Sequence, residues 1–563
     1  MNTATLRRTV ISHPLTLELL TKRGITSDKD ITDFLNPNYD KHLHDPFLLK
    51  DMDKAVSRIL TAIKNNERII VYTDYDTDGI PAGVIFYDFF TKIGFENFQN
   101  YIPHRNKEGY GLNKEALRAL AQEGASVIIT ADCGITDNEE VALASSLGID
   151  VIITDHHLPS SELPPAYAVV NPKREDDEYP FKELCGCGVA FKLIEALLQE
   201  GKKTGMFEVS EGWEKWLLDM VGLATISDMV PLVGENRVLA YYGLKVLRRS
   251  SRPGLVSLLH KANVLQQYIE ENDVGFSISP RINAASRMDT PFQAFEMLTT
   301  KDEGRAAELV SYLEKLNKER KVIVAGIVKE AHKKIKEKNI QEIIVLGNPH
   351  WQPGLLGLAA NTLAQEYGVP VFLWGRGGEE DSIKGSCRGN GLFSVVACME
   401  RAGDTLLEFG GHRNSGGFSV AHERIHTLEE ALLQALKETP HDSVESEEGS
   451  IERELSLDEV GWDTHRALSK LAPFGIGNPR PLFLFKNAQI DSFRWFGKGG
   501  EHIELSLISA AGRKVKAISF FAHKEDAYAT LVEKGVVSCV AYLEKNTFMG
   551  RHELRLRIAE LVA

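Results

Sequence analysis

From Arg68 onward, short apolar runs alternate with longer stretches in which apolar residues recur at helical spacing. Such alternation predicts β-strands joined by helices, an arrangement that places parallel strands in one sheet with helices on both faces. The runs that we interpret as strands are Ile69–Tyr72, Val127–Thr130, Val151–Thr154 and Ala168–Val170. The alternation therefore predicts an α/β domain built on a parallel sheet.

Each of the first three runs ends in a cluster of polar residues. The clusters are TDYDTDG at Thr73–Gly79, ADCGIT at Ala131–Thr136 and TDHHLP at Thr154–Pro159. In open α/β sheets, ligands bind at the carboxyl ends of the strands. We therefore expect the three clusters to converge on one site.

Acidic and imidazole side chains dominate these clusters and one later segment, ISDMVPL. They are Asp74, Asp76, Asp78, Asp132, Asp155, His156, His157 and Asp228. Crowded carboxylates repel each other unless a cation compensates, and carboxylate oxygens mixed with imidazole nitrogens suit Mn²⁺ or Mg²⁺. A single aspartate at a strand end is more often a turn or cap residue, but several such clusters on one sheet favour a metal site. Two neighbouring ions in that site suit phosphoryl displacement.

A second α/β unit is predicted after a long helix. The helix, Thr300–Lys338, is rich in Lys, Glu, Leu and Ala and lacks proline, so it is suited to bridging two domains. The predicted strands of the second unit are Glu342–Leu346 and Val369–Trp374. We interpret GSCRGN (Gly385–Asn390) and FGGHRNSGG (Phe409–Gly417) as loops that follow these strands.

The C-terminal region shows the pattern of a small β-barrel. Short alternating segments occur at His502–Ile508, Val515–Phe520 and Val536–Leu543, after an acidic, serine-rich linker at His441–Ser450. The first 50 residues form a leading segment without evident chemistry. The predicted divisions of the chain are 1–50, 51–299, 300–338, 339–445 and 451–563.

Composition limits where a nucleic-acid site can lie. The net charge of −14 argues against a basic coat over the whole molecule, whereas residues 451–563 carry 16 Lys and Arg against 14 Asp and Glu. Six cysteines in 563 residues are too few for a disulfide scaffold, and Cys185–Gly186–Cys187 lacks the second pair of a zinc site. No apolar leader or membrane-length run is present, so we expect a reduced, cytoplasmic protein.

The polar clusters together resemble those of the DHH phosphoesterase superfamily, named after the triplet found here at Asp155–His157. Later motifs narrow the resemblance to the bacterial RecJ exonuclease family. They are SPRINAASRMDTP, HWQPGLLGLAANTLAQEYGVPV, GSCRGN, FGGHRNSGGFSV and LAPFGIGNPRPLF. The resemblance implies a DHH domain, a DHH-associated domain and a C-terminal oligonucleotide-binding (OB) barrel. It also implies 5′→3′ degradation of single-stranded DNA to mononucleotides with Mn²⁺ or Mg²⁺, in recombination and repair.

The resemblance also implies which residues form the metal site. The implied ligands of two ions are Asp76, Asp78, Asp132, His156 and Asp228, with Asp132 as the bridge. Asp74 would orient a ligand or water, and His157 would touch the scissile phosphate. Asp155 is expected to fix a histidine tautomer.

Substrate-binding residues are implied on both α/β domains and on the barrel. Arg105, Ser386 and Arg388 would hold the 5′-terminal phosphate. The remaining candidates are Arg281, Asn283, Arg287, Gly410, Gly411, His412 and, for base stacking, Trp495. The chain departs from the family at Gln352, where histidine is common, and at Thr73, where glycine is common.

Two other functions are compatible with the motifs. A DHH phosphodiesterase of short oligoribonucleotides or cyclic dinucleotides would need no barrel for an extended strand. A non-catalytic single-strand-binding relative would gain nothing from clustered negative charge facing a phosphate backbone. Single-stranded DNA is the expected partner, with a helicase and a single-strand-binding protein as candidate protein partners.

Overall fold

The computed structural model describes residues 13–338, 342–376, 382–440, 450–497, 500–520, 522, 535–546 and 552–562. The chain divides into two compact units. The larger consists of His44–Val230 and Tyr242–Glu445, and the smaller of Met1–Leu43, Pro231–Tyr241 and Ser446–Ala563. No described helix is both long and apolar enough to cross a membrane.

The first sheet of the larger unit is parallel throughout and has the order β2-β1-β3-β4-β5. Its strands are β1 (Arg68–Thr73), β2 (Phe98–Tyr101), β3 (Ala125–Ala131), β4 (Asp150–Thr154) and β5 (Ala168–Val170). All four predicted runs are strands. The half-polar edge strand β2 was not predicted, because its sequence FQNY has no apolar run.

Helices surround this sheet and join it to the second one. Those of the larger unit are Met52–Asn65, Gly79–Ile93, Lys114–Gln122, Asn138–Ser146, Gly186–Thr204, Leu218–Ser227, Pro253–Lys261, Glu271–Asp273, Ser279–Met288, Phe292–Thr299, Glu303–Lys338, Pro353–Tyr367, Val395–Ala402 and Leu428–Glu438. A further helix has the bounds Gly234–Leu247. The long bridging helix was predicted, and it has 36 residues. Its residues Ile327, Ala331 and Ile335 are buried in the core of the second sheet.

The second sheet of the larger unit is mixed, with the order β6-β7-β8-β10-β9. Its strands are β6 (Ile344–Gly347), β7 (Val371–Arg376), β8 (Ser382–Arg388), β9 (Glu408–His412) and β10 (Ser415–Ala421). The interpretation of Gly385–Asn390 and Phe409–Gly417 as loops was wrong, because most of these residues lie in β8, β9 and β10. Glycine is needed inside β8, since a Cβ atom at Gly385 would come 2.1 Å from the ring of Phe418.

The smaller unit is a closed barrel with an N-terminal helical layer. Its strands are β11 (Ile451–Glu454), β12 (Leu482–Phe496), β13 (His502–Ile508), β14 (Lys514–Phe520), β15 (Val536–Asn546) and β16 (Glu553–Val562). Their order is β11-β12-β13-β14-β16-β15, and an additional pairing of β12 with β15 closes the barrel. The helices of this unit are Pro14–Lys22, Asp28–Leu35, Tyr39–His42 and Trp462–Ser469.

The leading segment packs into the core of this barrel. Leu15, Leu19, Leu20 and Ile31 belong to one hydrophobic cluster with barrel residues such as Phe483. The segment therefore contributes to the hydrophobic core of the barrel unit, although its sequence contains no catalytic or binding motif. The predicted linker lies outside the described residues except for Ser450.

Candidate metal centre

The acidic and histidine residues predicted from the sequence meet at the carboxyl edge of the first sheet. Asp74 follows β1, Asp132 follows β3 and His156 follows β4 closely. The Nε2 atom of His156 lies 3.2 Å from Asp132 Oδ1, 3.7 Å from Asp78 Oδ2 and 3.8 Å from Asp228 Oδ2. Asp228 reaches the site from the end of helix Leu218–Ser227. We call this set, together with Asp76, the acidic centre.

Potential ligand atoms within the centre form overlapping groups. Within each group, the atoms lie within 4.8 Å of one another. The groups are Asp74, Asp76 and Asp132; Asp78, His156 and Asp228; and Asp132, His156 and His157. Asp132 and His156 each belong to two groups, so the groups form one continuous set of potential ligands.

Backbone N–H groups hold the first two predicted ligands in position. Asp76 Oδ1 accepts hydrogen bonds from the backbone N–H groups of Asp78 and Gly79, at 2.7 and 3.2 Å. The carboxylate of Asp78 accepts from the backbone N–H groups of Gly186 and Cys187, at 2.6 and 2.8 Å. These last donors begin helix Gly186–Thr204, whose N-terminus favours negative charge.

Gly186 is packed directly against the acidic centre. A Cβ atom at this position would lie 2.5 Å from both Cβ and Oδ1 of Asp132. Asp132 itself has a left-handed backbone conformation, with φ of 66°. The thiols of Cys185 and Cys187 on either side are free and buried, and burial raises their pKa values. The Cys–Gly–Cys sequence therefore provides close packing at the site.

The electrostatics of the centre call for a cation. Burial, and then the charges of the neighbouring carboxylates, raise the pKa values of Asp74, Asp132 and Asp228 well above the usual range. In the described part of the chain, histidine is the only type of basic side chain within 4 Å of these carboxylates. Burial lowers the pKa of His156 to about 3, so its ring is neutral, as metal ligation requires.

Unpartnered buried atoms at the centre agree with this chemistry. Asp74 Oδ1, Asp132 Oδ1 and His156 Nδ1 are buried without a hydrogen-bond partner. Buried polar atoms are normally paired, so the two unpaired carboxylate oxygens, of Asp74 and Asp132, indicate a missing partner. Oxygen and imidazole nitrogen atoms in these positions fit Mn²⁺ and Mg²⁺.

His157 is held differently from His156. Its Nδ1 lies 2.7 Å from the fully buried Asp155 and 3.1 Å from the hydroxyl of Tyr110. Burial favours the neutral ring, but the hydrogen bond and charge of Asp155 outweigh it and raise the pKa of His157 to about 9. Tyr110 also donates to the backbone carbonyl of Asp132. The sequence analysis missed Tyr110, although the turn GYGLN after β2 contains it.

A group of arginines lies beside the acidic centre. Arg287 donates to the carbonyl of Gly354 at 2.8 Å, and Arg105 lies over the ring of Tyr75 at 4.7 Å. Burial, followed by the charges of Arg105, Arg320 and Arg388, lowers the pKa of Arg287 to about 9. We call these four residues the arginine cluster. Arg320 was not predicted, because nothing in the Lys- and Glu-rich helix Glu303–Lys338 distinguishes it.

The arginine cluster lacks anionic partners within the described part of the chain, since none of its members forms an ion pair there. Arg388 instead donates to the carbonyl of Cys387, at 2.7 Å, and contacts Ser386 Oγ at 3.4 Å. A Cβ atom at Gly357 would lie 2.9 Å from Ser386 Oγ, so the glycine makes room for the pair. The arrangement suits an anion with several oxygen atoms, such as a phosphate.

The other predicted substrate residues fall into different environments. Arg281 forms an ion pair with Glu314 at 2.7 Å, so its charge is already compensated. Asn283 has a buried, unpartnered Oδ1, and Gly410–His412 lie exposed in β9, with the ring of His412 6.2 Å from that of His157. Trp495, in β12, packs partly against the barrel core. Gln352 is an exposed residue at the start of helix Pro353–Tyr367.

Sequence comparisons identify the family. Residues 68–225 match the DHH family N-terminal domain, 339–438 the DHHA1 domain and 451–560 the RecJ OB domain. The single-stranded-DNA-specific exonuclease RecJ of Haemophilus influenzae is 31% identical, over 98% of this chain and 96% of the relative. This chain belongs to the RecJ family. RecJ of Bacillus subtilis is 33% identical, over 97% of this chain and 68% of the relative.

Solved RecJ structures confirm the predicted fold class and the predicted ions. RecJ of Thermus thermophilus in complex with Mn²⁺ matches with a TM-score of 0.81 and 27% identity, covering 100% of this chain and 78% of that one. The complex with Mg²⁺ matches with a TM-score of 0.75 and 25% identity, covering 99% and 76%. Two α/β domains, a long helix and an OB-type barrel are therefore the architecture of this RecJ family member.

Mn²⁺ should raise the melting temperature of the metal-free protein, because an ion that binds only the folded state stabilises it by mass action. At free Mn²⁺ about 100 times the Kd, the expected gain is about 2.7 kcal/mol per site. Calorimetry of EDTA-treated protein, with and without Mn²⁺, measures the shift. Asp150→Asn, at the opposite end of β4, should retain it. Equal melting temperatures of the wild type in both buffers would contradict a metal centre.

Proposed function

We propose that this RecJ family member is a metal-dependent exonuclease that hydrolyses single-stranded DNA from its 5′ end to 5′-mononucleotides, in recombination and DNA repair. The relatives' name, single-stranded-DNA-specific exonuclease, supports the substrate and the reaction. The acidic centre supports metal-dependent phosphodiester hydrolysis. Because the enzyme would act on single strands, a helicase and a single-strand-binding protein are its proposed partners.

The observation that carries the proposed direction is the arginine cluster beside the acidic centre. The charge of Arg105 lowers the pKa of Asp74, and the charge of Asp76 raises the pKa of Arg287. The arginine cluster and the acidic centre are therefore neighbours. A terminal phosphate carries up to two negative charges, whereas an internal phosphodiester carries one. Guanidinium groups without an ion-pair partner therefore bind the terminal phosphate of a DNA strand more tightly than an internal phosphodiester. With that end held, the phosphodiester after the first nucleotide would reach the acidic centre.

The residues of the acidic centre would act together on that phosphodiester. Asp76, Asp78, Asp132, His156 and Asp228 would hold two divalent ions, with Asp74 orienting a ligand or water. When bound, such ions activate water and neutralise charge that develops on the scissile phosphate. Hydrolysis joins the water oxygen to phosphorus, breaks the P–O3′ bond and leaves a proton on O3′.

His157 would complete this arrangement. Because its Nδ1 is bonded to Asp155, its Nε2 is left to donate to a phosphate oxygen. The hydrogen bond and charge of Asp155 raise the pKa of His157, which favours a positively charged ring as the donor. Asp155 would act as a positioning residue, since it fixes the orientation of the ring rather than touching the substrate.

The strand itself would be bound mainly through its shape and charge. His412 lies beside His157 and, with Gly410 and Gly411, would line the path across the second sheet. Trp495 would offer a stacking surface on the barrel. Stacking and phosphate contacts carry little sequence information, so sequence preference should be weak and binding should weaken as salt rises.

Arg388→Gln should lower kcat/KM about ten- to a hundredfold on a 5′-phosphorylated strand, because one charge-assisted contact is worth about 1.5–3 kcal/mol. On a 5′-hydroxyl strand the variant and the wild type should be nearly equal. Arg401→Gln, in the same domain, is the matched control, because the hydrogen bond of Arg401 to a described residue lies within its own helix. Mononucleotide release from strands labelled at either end measures both direction and rate.

Release that begins at the 3′ label would refute the proposed polarity. An equal loss on both substrates would show that Arg388 does not bind the terminal phosphate. Rates on dinucleotides compared with a long single strand test the remaining alternative. Faster turnover of the dinucleotide would favour a phosphodiesterase of short substrates.

A further inference from the structure

A cleft of about 410 Å³ opens beside the acidic centre. It is lined by His156 and His157 of the first sheet, by His412 of the second and by Lys173 and Lys182. The volume lies within the range of about 300–1,000 Å³ that small-ligand sites occupy. The lining is basic apart from Leu158, Pro172 and Glu183, and it suits an anionic group of the size of a nucleotide.

The order of the sheet places this cleft on the opposite side of the acidic centre from Arg105. Arg105 follows the edge strand β2, and Lys173 follows the other edge strand, β5. The strands between them, β1, β3 and β4, carry the acidic centre. At about 4.8 Å per neighbouring strand, the two edges are roughly 19 Å apart. A single strand of DNA that crosses the carboxyl edge of the sheet can contact both basic sites and the acidic centre between them.

Among the Lys and Arg residues that line the cleft, Lys173 is the one without an ion pair to any described residue, since Arg174 is paired with Asp51 and Asp176. Lys182 donates to the carboxylate of Asp177 at 2.8 Å, so its charge is compensated. Within the described ranges, the ammonium group of Lys173 forms neither an ion pair nor a hydrogen bond. Its charge is one of the causes, after burial, that lower the pKa of His412, so the group lies near that ring.

Hydrogen bonds through Asn171 link the backbone of Lys173 to the backbone of His157. The N–H of Lys173 donates to Asn171 Oδ1 at 2.8 Å, and Asn171 Nδ2 donates to the carbonyl of His157 at 2.9 Å. Asn171 is fully buried, which fixes this link. The position of Lys173 relative to His157 is therefore set by the fold, while its long side chain extends into the cleft.

We propose that Lys173 binds the phosphodiester on the 3′ side of the scissile bond, and that the cleft is the subsite for that part of the strand. The proposal rests on the proposed function, since it takes the 5′ end to lie at the arginine cluster. From the acidic centre, the DNA then continues across the end of β5. Lys173 holds the next phosphate and keeps the scissile one in register. It is a substrate-binding residue, which no motif of the sequence indicated.

Replacing Lys173 by glutamine should raise KM about tenfold and leave kcat within about a factor of two, because a lost charged contact to a bound anion weakens binding. In equilibrium binding, the slope of log K against log salt should become less steep by about 0.7, the value for one phosphate contact on a single strand. Lys173→Arg should keep most of the affinity. Lys202→Gln is the matched control, because Lys202 is exposed in the last turn of helix Gly186–Thr204 and does not line the cleft.

A substrate with a neutral methylphosphonate at the linkage after the scissile one tests the contact itself. The wild type should lose about as much affinity on this substrate as Lys173→Gln loses on normal DNA. The variant should lose little more on the modified strand. Additive losses, or an unchanged KM for Lys173→Gln, would overturn the proposal.

Binding without turnover separates this proposal from the proposed function. Fluorescence anisotropy of a 5′-phosphorylated oligonucleotide, with Ca²⁺ in place of Mn²⁺, compares the wild type with Lys173→Gln. Absence of hydrolysis by the wild type in Mn²⁺ would refute the nuclease function alone. Equal affinities and equal salt slopes of the two proteins, or no binding by either, would refute the Lys173 subsite.

Discussion

Replacing Asp132 by asparagine should reduce the release of mononucleotides from single-stranded DNA at least about a thousandfold, since metal catalysis supplies several kcal/mol of the barrier reduction. Asp132 contributes atoms to two of the ligand groups and lies 3.2 Å from His156 Nε2. Asparagine keeps the shape and tolerates the left-handed backbone at this position, where φ is 66°. The loss would therefore reflect the missing charge rather than a changed loop.

The stability of the same variant distinguishes a damaged fold from a damaged site. Without metal, the asparagine variant should be at least as stable as the wild type, because it removes one of several crowded buried charges. With Mn²⁺ the order should reverse, because the variant gains less from the ion. Asp150→Asn, which breaks an ion pair with Arg58 at the opposite end of β4, should gain as much stability from Mn²⁺ as the wild type does. Full activity of Asp132→Asn would show that the acidic centre is not the catalytic site.

The first sheet could be predicted because its sequence pattern is local. Each buried parallel strand is a short apolar run, and β1 and β4 differ from the predicted runs by one residue at one or both ends. The convergence of Asp132 and His156 followed from one rule, that parallel strands end at the same edge. The positions of Asp132 and His156 could therefore be predicted without knowing which distant residues they contact.

The features that were missed depend on distant contacts. Gly385 is suited to strand β8 because Phe418, in the paired strand, covers it. The sequence also did not indicate that Glu314, which is 33 residues from Arg281 along the chain, compensates the charge of Arg281. Lys173 and Arg320 become significant only when the sheet order and the long helix bring them to the site. No periodicity of the sequence marks such positions.

Replacing Gly186 by alanine should reduce nuclease activity about a hundredfold. The new methyl group would lie 2.5 Å from Cβ and Oδ1 of Asp132, a distance that real Cβ atoms do not show. Either Asp132 or the start of helix Gly186–Thr204 must move, and this helix start also donates to Asp78. A misplacement of about 1 Å in a catalytic group costs roughly a hundredfold in rate. The same shift should weaken the binding of Mn²⁺, which isothermal titration calorimetry measures.

Gly188→Ala is the matched control for this prediction. It lies in the first turn of the same helix, but a Cβ atom there would meet Leu184 and Cys185 at 3.5–3.6 Å, which is ordinary contact. Alanine is also favoured over glycine in a helix by up to about 1 kcal/mol, so this variant should be no less stable than the wild type. Its activity and Mn²⁺ affinity should stay within about twofold, well below the cost expected of a displaced ligand. If both alanine variants behave alike, close packing of Gly186 does not position Asp132. If only Gly186→Ala fails while its melting temperature in EDTA stays near that of the wild type, the geometry of the acidic centre, rather than the stability of the helix, limits catalysis.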